Sequence, residues 1–115
     1  MATSVSAKIR IGQLQDSLCT KRLGRTILFS REVDSTNKWA KELTMYGACE
    51  GTVVIAETQT RGRGRLGREW VSPTGGLWFS LILRPKLRPA EAVKLTFAAG
   101  LAVTKVLREM LGLIP

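Results

Sequence analysis

Histidine is missing altogether, and cysteine occurs only twice, at Cys19 and Cys49. The first absence excludes a histidine general base and any Ser-His-Asp triad. Together the two remove the usual ligand sets of zinc, so no metal-ligating residues are expected. Two cysteines so far apart do not make a disulfide framework. No apolar run approaches the ~20 residues that cross a bilayer. Residues 1–12 hold no apolar signal-peptide core. No membrane partner is expected, and the expected location is a reducing cytoplasm. Acidic residues are scarce as well: 9 Asp and Glu against 18 Lys and Arg leave a net charge of +9. Such a surplus favours anionic partners: nucleotide, nucleic acid, acidic protein or membrane surface. Most of the lysines read simply as solvated surface.

What the sequence does have is a cationic glycine loop. Glu57 to Gly76 reads E-T-Q-T-R-G-R-G-R-L-G-R-E-W-V-S-P-T-G-G. Arg61, Arg63, Arg65 and Arg68 alternate with Gly62, Gly64 and Gly67, and Trp70 follows at once. Apolar runs flank the loop, Thr52–Ala56 before it and Leu77–Leu83 after it. Glycine permits close backbone approach to a ligand. Arginine offers a planar fork of donors to carboxylate and phosphate. A loop of this composition between two buried strands is suited to closing over an anion.

The 115 residues amount to one small domain or a piece of one, with 44% hydrophobic content that is ordinary for a globular protein. Residues 1–25 form a weakly helical N-terminal extension, in which Ile9, Ile11, Leu14 and Leu18 recur at loosely helical spacing. Thr26 to Val33 reads as a strand, rich in β-branched and aromatic residues. Asp34-Ser35-Thr36-Asn37 are all helix-capping types. Trp39, Ala40, Leu43 and Tyr46 then make one apolar helix face, stopped by Gly47. Gly51-Thr52 opens a second strand that ends at Glu57. Pro73 to Gly76 is turn chemistry. Leu77 to Leu83, apolar except for Ser80, reads as a strand buried on both sides. Pro89 opens a long helix over Ala90 to Leu111, with Glu91 in its first turn and Gly112 as its cap. A doubly covered strand and a helix apolar nearly all round ask for more cover than three strands and one other helix give. The expectation is the N-terminal part of a larger domain, or an oligomer.

Three readings of the loop compete. Gly62-x-Gly64-x-x-Gly67 matches the dinucleotide fingerprint in letters, but that fingerprint needs a helix opening at the loop. Glu69-Trp70-Val71-Ser72-Pro73 is no helix start, and this reading is rejected. Arginine and glycine with an aromatic also suit single-stranded nucleic acid, yet the pattern is not continued elsewhere. The third reading is a lid over an acyl phosphate, made when ATP activates a carboxylate. Arginines and Mg²⁺ would offset the repulsion between two anions, and the substrate carboxylate is itself the nucleophile.

The D-S-T-N cap, the E-T-Q-T-R-G-R-G-R-L-G-R-E-W-V-S-P loop and Gly75-Gly76-Leu77-Trp78-Phe79-Ser80 resemble the first half of the catalytic domain of biotin protein ligases. The resemblance covers about residue 26 to 115. It implies an α+β fold with a mixed β-sheet flanked by helices, like class II aminoacyl-tRNA synthetase catalytic domains. It implies biotin and ATP as substrates with Mg²⁺, biotinyl-5′-adenylate as intermediate, and a lysine of a biotin carboxyl carrier protein as acceptor. By the same resemblance Ser35, Thr36 and Asn37 line the biotin pocket, and Gln59 hydrogen-bonds the ureido ring. Gly62, Arg63, Gly64 and Arg65 cover biotin; Arg63 and Arg65 reach the adenylate phosphate, with Arg65 as the catalytic residue. Arg68 and Trp70 lie toward the nucleotide. The plainer alternatives are helix capping for Ser35 to Asn37, a strand-end polar residue for Gln59, and a disordered basic loop for the arginines. The family's lysine-x-proline-asparagine-aspartate segment does not occur in these residues. Residues 1–25 are too short to replace the winged helix by which some members bind DNA, so no DNA partner is expected. Some members pair through the sheet edge as homodimers, which leaves the oligomeric state open. A lipoate ligase relative and a basic nucleic-acid-binding module remain the alternatives.

Overall fold

A computed structural model describes residues 10–112. They divide into two compact units, with the division after Arg84. Ile9, one member of the expected N-terminal helix pattern, lies outside the described residues.

The first unit runs α1 (Ile11–Ser17), β1 (Ile27–Val33), α2 (Thr36–Met45), β2 (Val53–Gln59) and β3 (Trp78–Leu81). The sheet order is β1-β2-β3. β1 and β2 are parallel, in a register that pairs Ile27 with Val53 and Val33 with Gln59. A parallel pair cannot be closed by a tight turn, and α2 is the crossover it requires. β3 returns antiparallel to β2, with Ile55 opposite Phe79. This is the mixed sheet with helices that the resemblance implies.

Local chemistry sets the ends of α2. Ser35 is its N-cap, its side chain accepting from the Lys38 N–H. At the other end the Ala48 N–H reaches back to the Leu43 carbonyl and the Gly47 N–H to that of Thr44. Gly47 sits at φ +88°, so this is a Schellman stop. The buried face of α2 carries Ala40, packed with Val54 and Ile82, with Leu28, Trp39, Leu43 and Ala48 around them. Tyr46 does not belong to that face: it is 89% exposed. The helix ends at Met45, and the non-helical backbone of Tyr46 turns its ring away.

β3 also departs from expectation. Its four residues are covered on one face only, and Phe79 and Leu77 are exposed. The expected exception, Ser80, is among the buried residues. The cause is hydrogen bonding, because Ser80 faces the polar N-terminus of α2. On the opposite face Ile27, Val53, Ile55, Phe79 and Leu81 border an apolar groove of about 370 Å³ with Leu14, Leu18 and Leu23.

The second unit contains a 3-10 turn, Pro89–Glu91, and α3, Val93–Leu111. The helix therefore starts three residues later than the sequence suggests. Pro89 to Glu91 wind more tightly, and Ala92 provides no side-chain cap. Glu91 lies in that turn and pairs with Arg88 at 3.5 Å and Lys94 at 3.2 Å. Gly112 ends α3 in the left-handed conformation.

Candidate active site

β2 ends at Gln59, and from there the chain doubles back on itself as a narrow arm. The Gln59 N–H donates to the Ser72 carbonyl at 3.2 Å, Trp70 N–H to Gly62 at 2.7 Å, and Gly64 N–H to Arg68 at 2.7 Å. A single turn over Arg65–Gly67 forms the tip. Leu66 (φ 60°, ψ 31°) and Gly67 (φ 73°) are both left-handed there. That backbone matches the primed turns of tight hairpins. The arginine-glycine loop is thus drawn up as a two-stranded ribbon.

The arm is rooted beside the start of α2. Thr60 N–H donates to Val33 O and Arg61 N–H to Asp34 O, continuing the β1–β2 ladder past the strand ends. Asp34 accepts from Lys38 Nζ at 3.3 Å and from the Thr60 hydroxyl at 3.4 Å. Its carboxyl is held below its ordinary value, first by the Lys38 hydrogen bond and charge and then by Arg61 and Thr60.

At the root, Gln59 spans three elements. Its Oε1 accepts from the Thr36 N–H at 2.8 Å, at the first turn of α2. Its Nε2 donates to the Ser72 hydroxyl at 2.8 Å, which in turn donates to the Trp70 carbonyl at 3.0 Å. Gly62 lies against this cluster. A Cβ there would stand 2.5 Å from Trp70 O, 2.7 Å from Ser72 Oγ and 2.8 Å from Gln59 Nε2. The glycine is required by contact, not by its φ.

Between the arm, the start of α2 and β3 lies a cavity of about 420 Å³. Ser35, Thr36, Asn37 and Gln59 line its polar end. Arg63, Gly64, Arg65 and Trp70 come from the arm, and Leu77, Trp78 and Phe79 supply apolar wall. So Ser35, Thr36, Asn37, Gln59, Arg63, Gly64, Arg65 and Trp70, the residues singled out in the sequence, share one cavity. Two do not. Gly62 borders a neighbouring cavity of about 720 Å³, and Arg68 lines neither, its carbonyl holding the arm's last rung. Sequence reasoning missed the apolar wall, Ser72 and Ser80. A lone serine in the run Leu77–Leu83 was the signal for Ser80; nothing local marks Ser72. Among the described residues no three His, Cys, Asp or Glu side chains gather as metal ligands.

Amides and hydroxyls at one end, apolar wall along the side and arginines on an overlying arm are the chemistry that suits a small ligand with an apolar body and an anionic end. Comparison with known proteins makes the class specific. The profile of the biotin/lipoate A/B protein ligase family matches residues 29–113, and the chain belongs to that family. It is 38% identical over 107 residues to the bifunctional ligase/repressor BirA of Bacillus subtilis, covering 92% of this chain and 33% of that protein. It is 44% identical over 70 residues to the biotin–[acetyl-CoA-carboxylase] ligase of Paracoccus denitrificans, covering 61% of this chain and 29% of that one. Among solved structures, the biotin protein ligase from Aquifex aeolicus in complex with biotin and ATP matches at TM-score 0.66 and 38% identity, over 77% of this chain and 37% of that chain. The chain spans a third or less of the length of the curated relatives it matches.

Proposed function

We propose that this chain binds biotin and its adenylate, and contributes these contacts to biotin protein ligation. The carrying observation is the gathering of Ser35, Thr36, Asn37, Gln59, Arg63, Gly64, Arg65 and Trp70 around one cavity. Ser35, Thr36 and Asn37 with Gln59 hold the ureido ring, whose N–H and C=O groups need amide-like and hydroxyl partners. The apolar wall takes the ring and acyl chain. In the first step a carboxylate oxygen of biotin attacks the α-phosphorus of ATP. The bond to the bridging oxygen breaks, and pyrophosphate leaves. Arg63 and Arg65 offset the charge brought together there, with Arg65 acting on the phosphorus as it reacts. Gly62 lets the arm close down on its root. Arg68 and Trp70 serve the nucleotide end. Mg²⁺ would be held chiefly by the nucleotide phosphates, since among the described residues no three His, Cys, Asp or Glu side chains gather to hold it, and it would offset phosphate charge there. In the second step a lysine amine of a biotin carboxyl carrier protein attacks the acyl carbon and AMP leaves. The sheet and helices of this reading form part of a class II aminoacyl-tRNA synthetase-like catalytic domain, working in the cytoplasm.

Equilibrium dialysis with labelled biotin tests the reading. Biotin is expected to bind the folded chain, and excess lipoate is expected not to displace it. A folded chain that retains no biotin overturns the proposal. Displacement by lipoate moves the chain to lipoate chemistry. Binding of single-stranded nucleic acid that falls steeply with salt points instead to a basic nucleic-acid module. Arg65→Ala is expected to weaken retention of biotinyl-adenylate more than binding of biotin, because the phosphate contact is lost. Equal loss of both removes Arg65 from the phosphate.

A further inference from the structure

Ser72 has no ligand role in the reading above, yet it is 5% exposed and its hydroxyl is engaged on both sides. It borders the 720 Å³ cavity, which Gln59 also lines, and it is not among the residues that line the 420 Å³ cavity with Gln59, Ser35, Thr36 and Asn37. Its link to the proposed ligand's cavity therefore runs through Gln59.

The bonds through Ser72 have fixed directions. The Thr36 backbone N–H can only donate, so it must meet Gln59 Oε1. The Trp70 carbonyl can only accept, so it takes the hydrogen of the Ser72 hydroxyl. The Ser72 oxygen is then left to accept from Gln59 Nε2. A primary amide has two N–H donors and two lone pairs on oxygen. One of each is consumed by Ser72 and Thr36, which leaves one N–H and one lone pair on Gln59. Without Ser72, only the Thr36 contact would hold the amide head, and the plane of the amide could turn about it.

We propose that Ser72 is a positioning residue. It sets the plane and handedness of the Gln59 amide, so that the chain selects ligands presenting an adjacent N–H and C=O, as a cyclic urea does. This rests on the biotin reading for the ligand, but not for the clamp itself.

The experiment compares the unsubstituted chain with Ser72→Ala, Ser72→Cys and Ser72→Thr. Cysteine keeps the volume and loses most of the hydrogen bonding; threonine keeps the hydroxyl. Two ligands are titrated: biotin, and 2-iminobiotin, in which the ring carbonyl oxygen is replaced by nitrogen. Ser72→Ala and Ser72→Cys are expected to weaken biotin about tenfold, the value of one hydrogen bond. 2-Iminobiotin is expected to change little, so the preference between the two ligands collapses, while Ser72→Thr restores it. General loosening of the site would weaken both ligands alike, and that result overturns the proposal. The second readout needs no ligand. In ¹⁵N-resolved NMR the two side-chain amide protons of Gln59 are expected to be well separated, one of them slow to exchange, and to converge in Ser72→Ala. If the unsubstituted chain binds neither ligand, the biotin reading fails, and NMR alone then decides the clamp. Gln59 amide signals that are unchanged by Ser72→Ala overturn it.

Discussion

The hydroxyl of Ser80 lies 2.8 Å from the hydroxyl of Thr36, joining the middle of β3 to the first residue of α2. The same serine reaches Asn37 Oδ1 at 2.5 Å. Ser80 is 9% and Thr36 4% exposed, so the Thr36 hydroxyl has little access to water, whereas Asn37 is exposed and can be solvated. Ser80→Ala should therefore cost about 1–3 kcal/mol, the range for leaving buried partners unsatisfied. Urea unfolding gives the number. Biotin binding should fall as well, because Asn37 loses the contact that aims its amide. A stability change within error would mean that Thr36 and Asn37 find other partners.

Gly62→Ala is expected to disturb the arm more than its size suggests. The added methyl meets a backbone oxygen, which cannot swing aside as a flexible side chain could. Biotin affinity should drop by at least about tenfold, consistent with the loss of one or more hydrogen bonds at the Gln59 root. Calorimetric titration checks it. An unchanged affinity would show that the arm's root is free to shift.

Leu66 at the tip predicts a gain. It is 93% exposed and holds a left-handed conformation that an L side chain tolerates poorly. Leu66→Asn should relieve about 1 kcal/mol, slowing exchange of the Gly64 amide about fivefold. Little apolar burial is at risk in that change.

Asp34 predicts the pH response. Its carboxyl lies below the ordinary value of 3.8, with Lys38 as the first cause. A depressed folded pKa stabilises the fold above the unfolded value. That contribution is lost as pH falls through 3.8 toward the folded value. The group is exposed, so the effect on stability is small. Lys38→Met should raise the Asp34 pKa toward 3.8 in a carboxyl-carbon NMR titration. A midpoint that does not move would assign the shift to Arg61 and Thr60 instead.

Trypsin reports on the arm directly, since Arg61, Arg63, Arg65 and Arg68 are all cleavage points. Biotin with a non-hydrolysable ATP analogue should slow cleavage within residues 61–70 while leaving cleavage elsewhere unaltered. Equal rates with and without ligand would separate the arm from the ligand.

Much of this was legible in the residue order. Capping chemistry at Asp34 to Asn37, the stop at Gly47 and the β-branched run before Glu57 act over a few positions, and the chain folds as they direct. The shared cavity was legible only through the resemblance to biotin protein ligases, because Asn37 and Arg65 are brought together by tertiary structure. What stayed hidden also depends on distant partners. Ser80 is buried because Thr36 faces it, and Ser72 because Gln59 does. Tyr46 follows apolar spacing but falls one residue past the helix end. The ribbon form of the arm arises from pairing across the glycines, which composition alone leaves indistinguishable from a coil.

That ribbon changes the thermodynamics of capture. Ordering a residue's backbone costs roughly 1–2 kcal/mol of entropy. An arm whose rungs are already made meets that cost when the chain folds, not when a ligand arrives. On the proposed reading, the heat capacity change on binding should then reflect the ligand's own buried surface and little more.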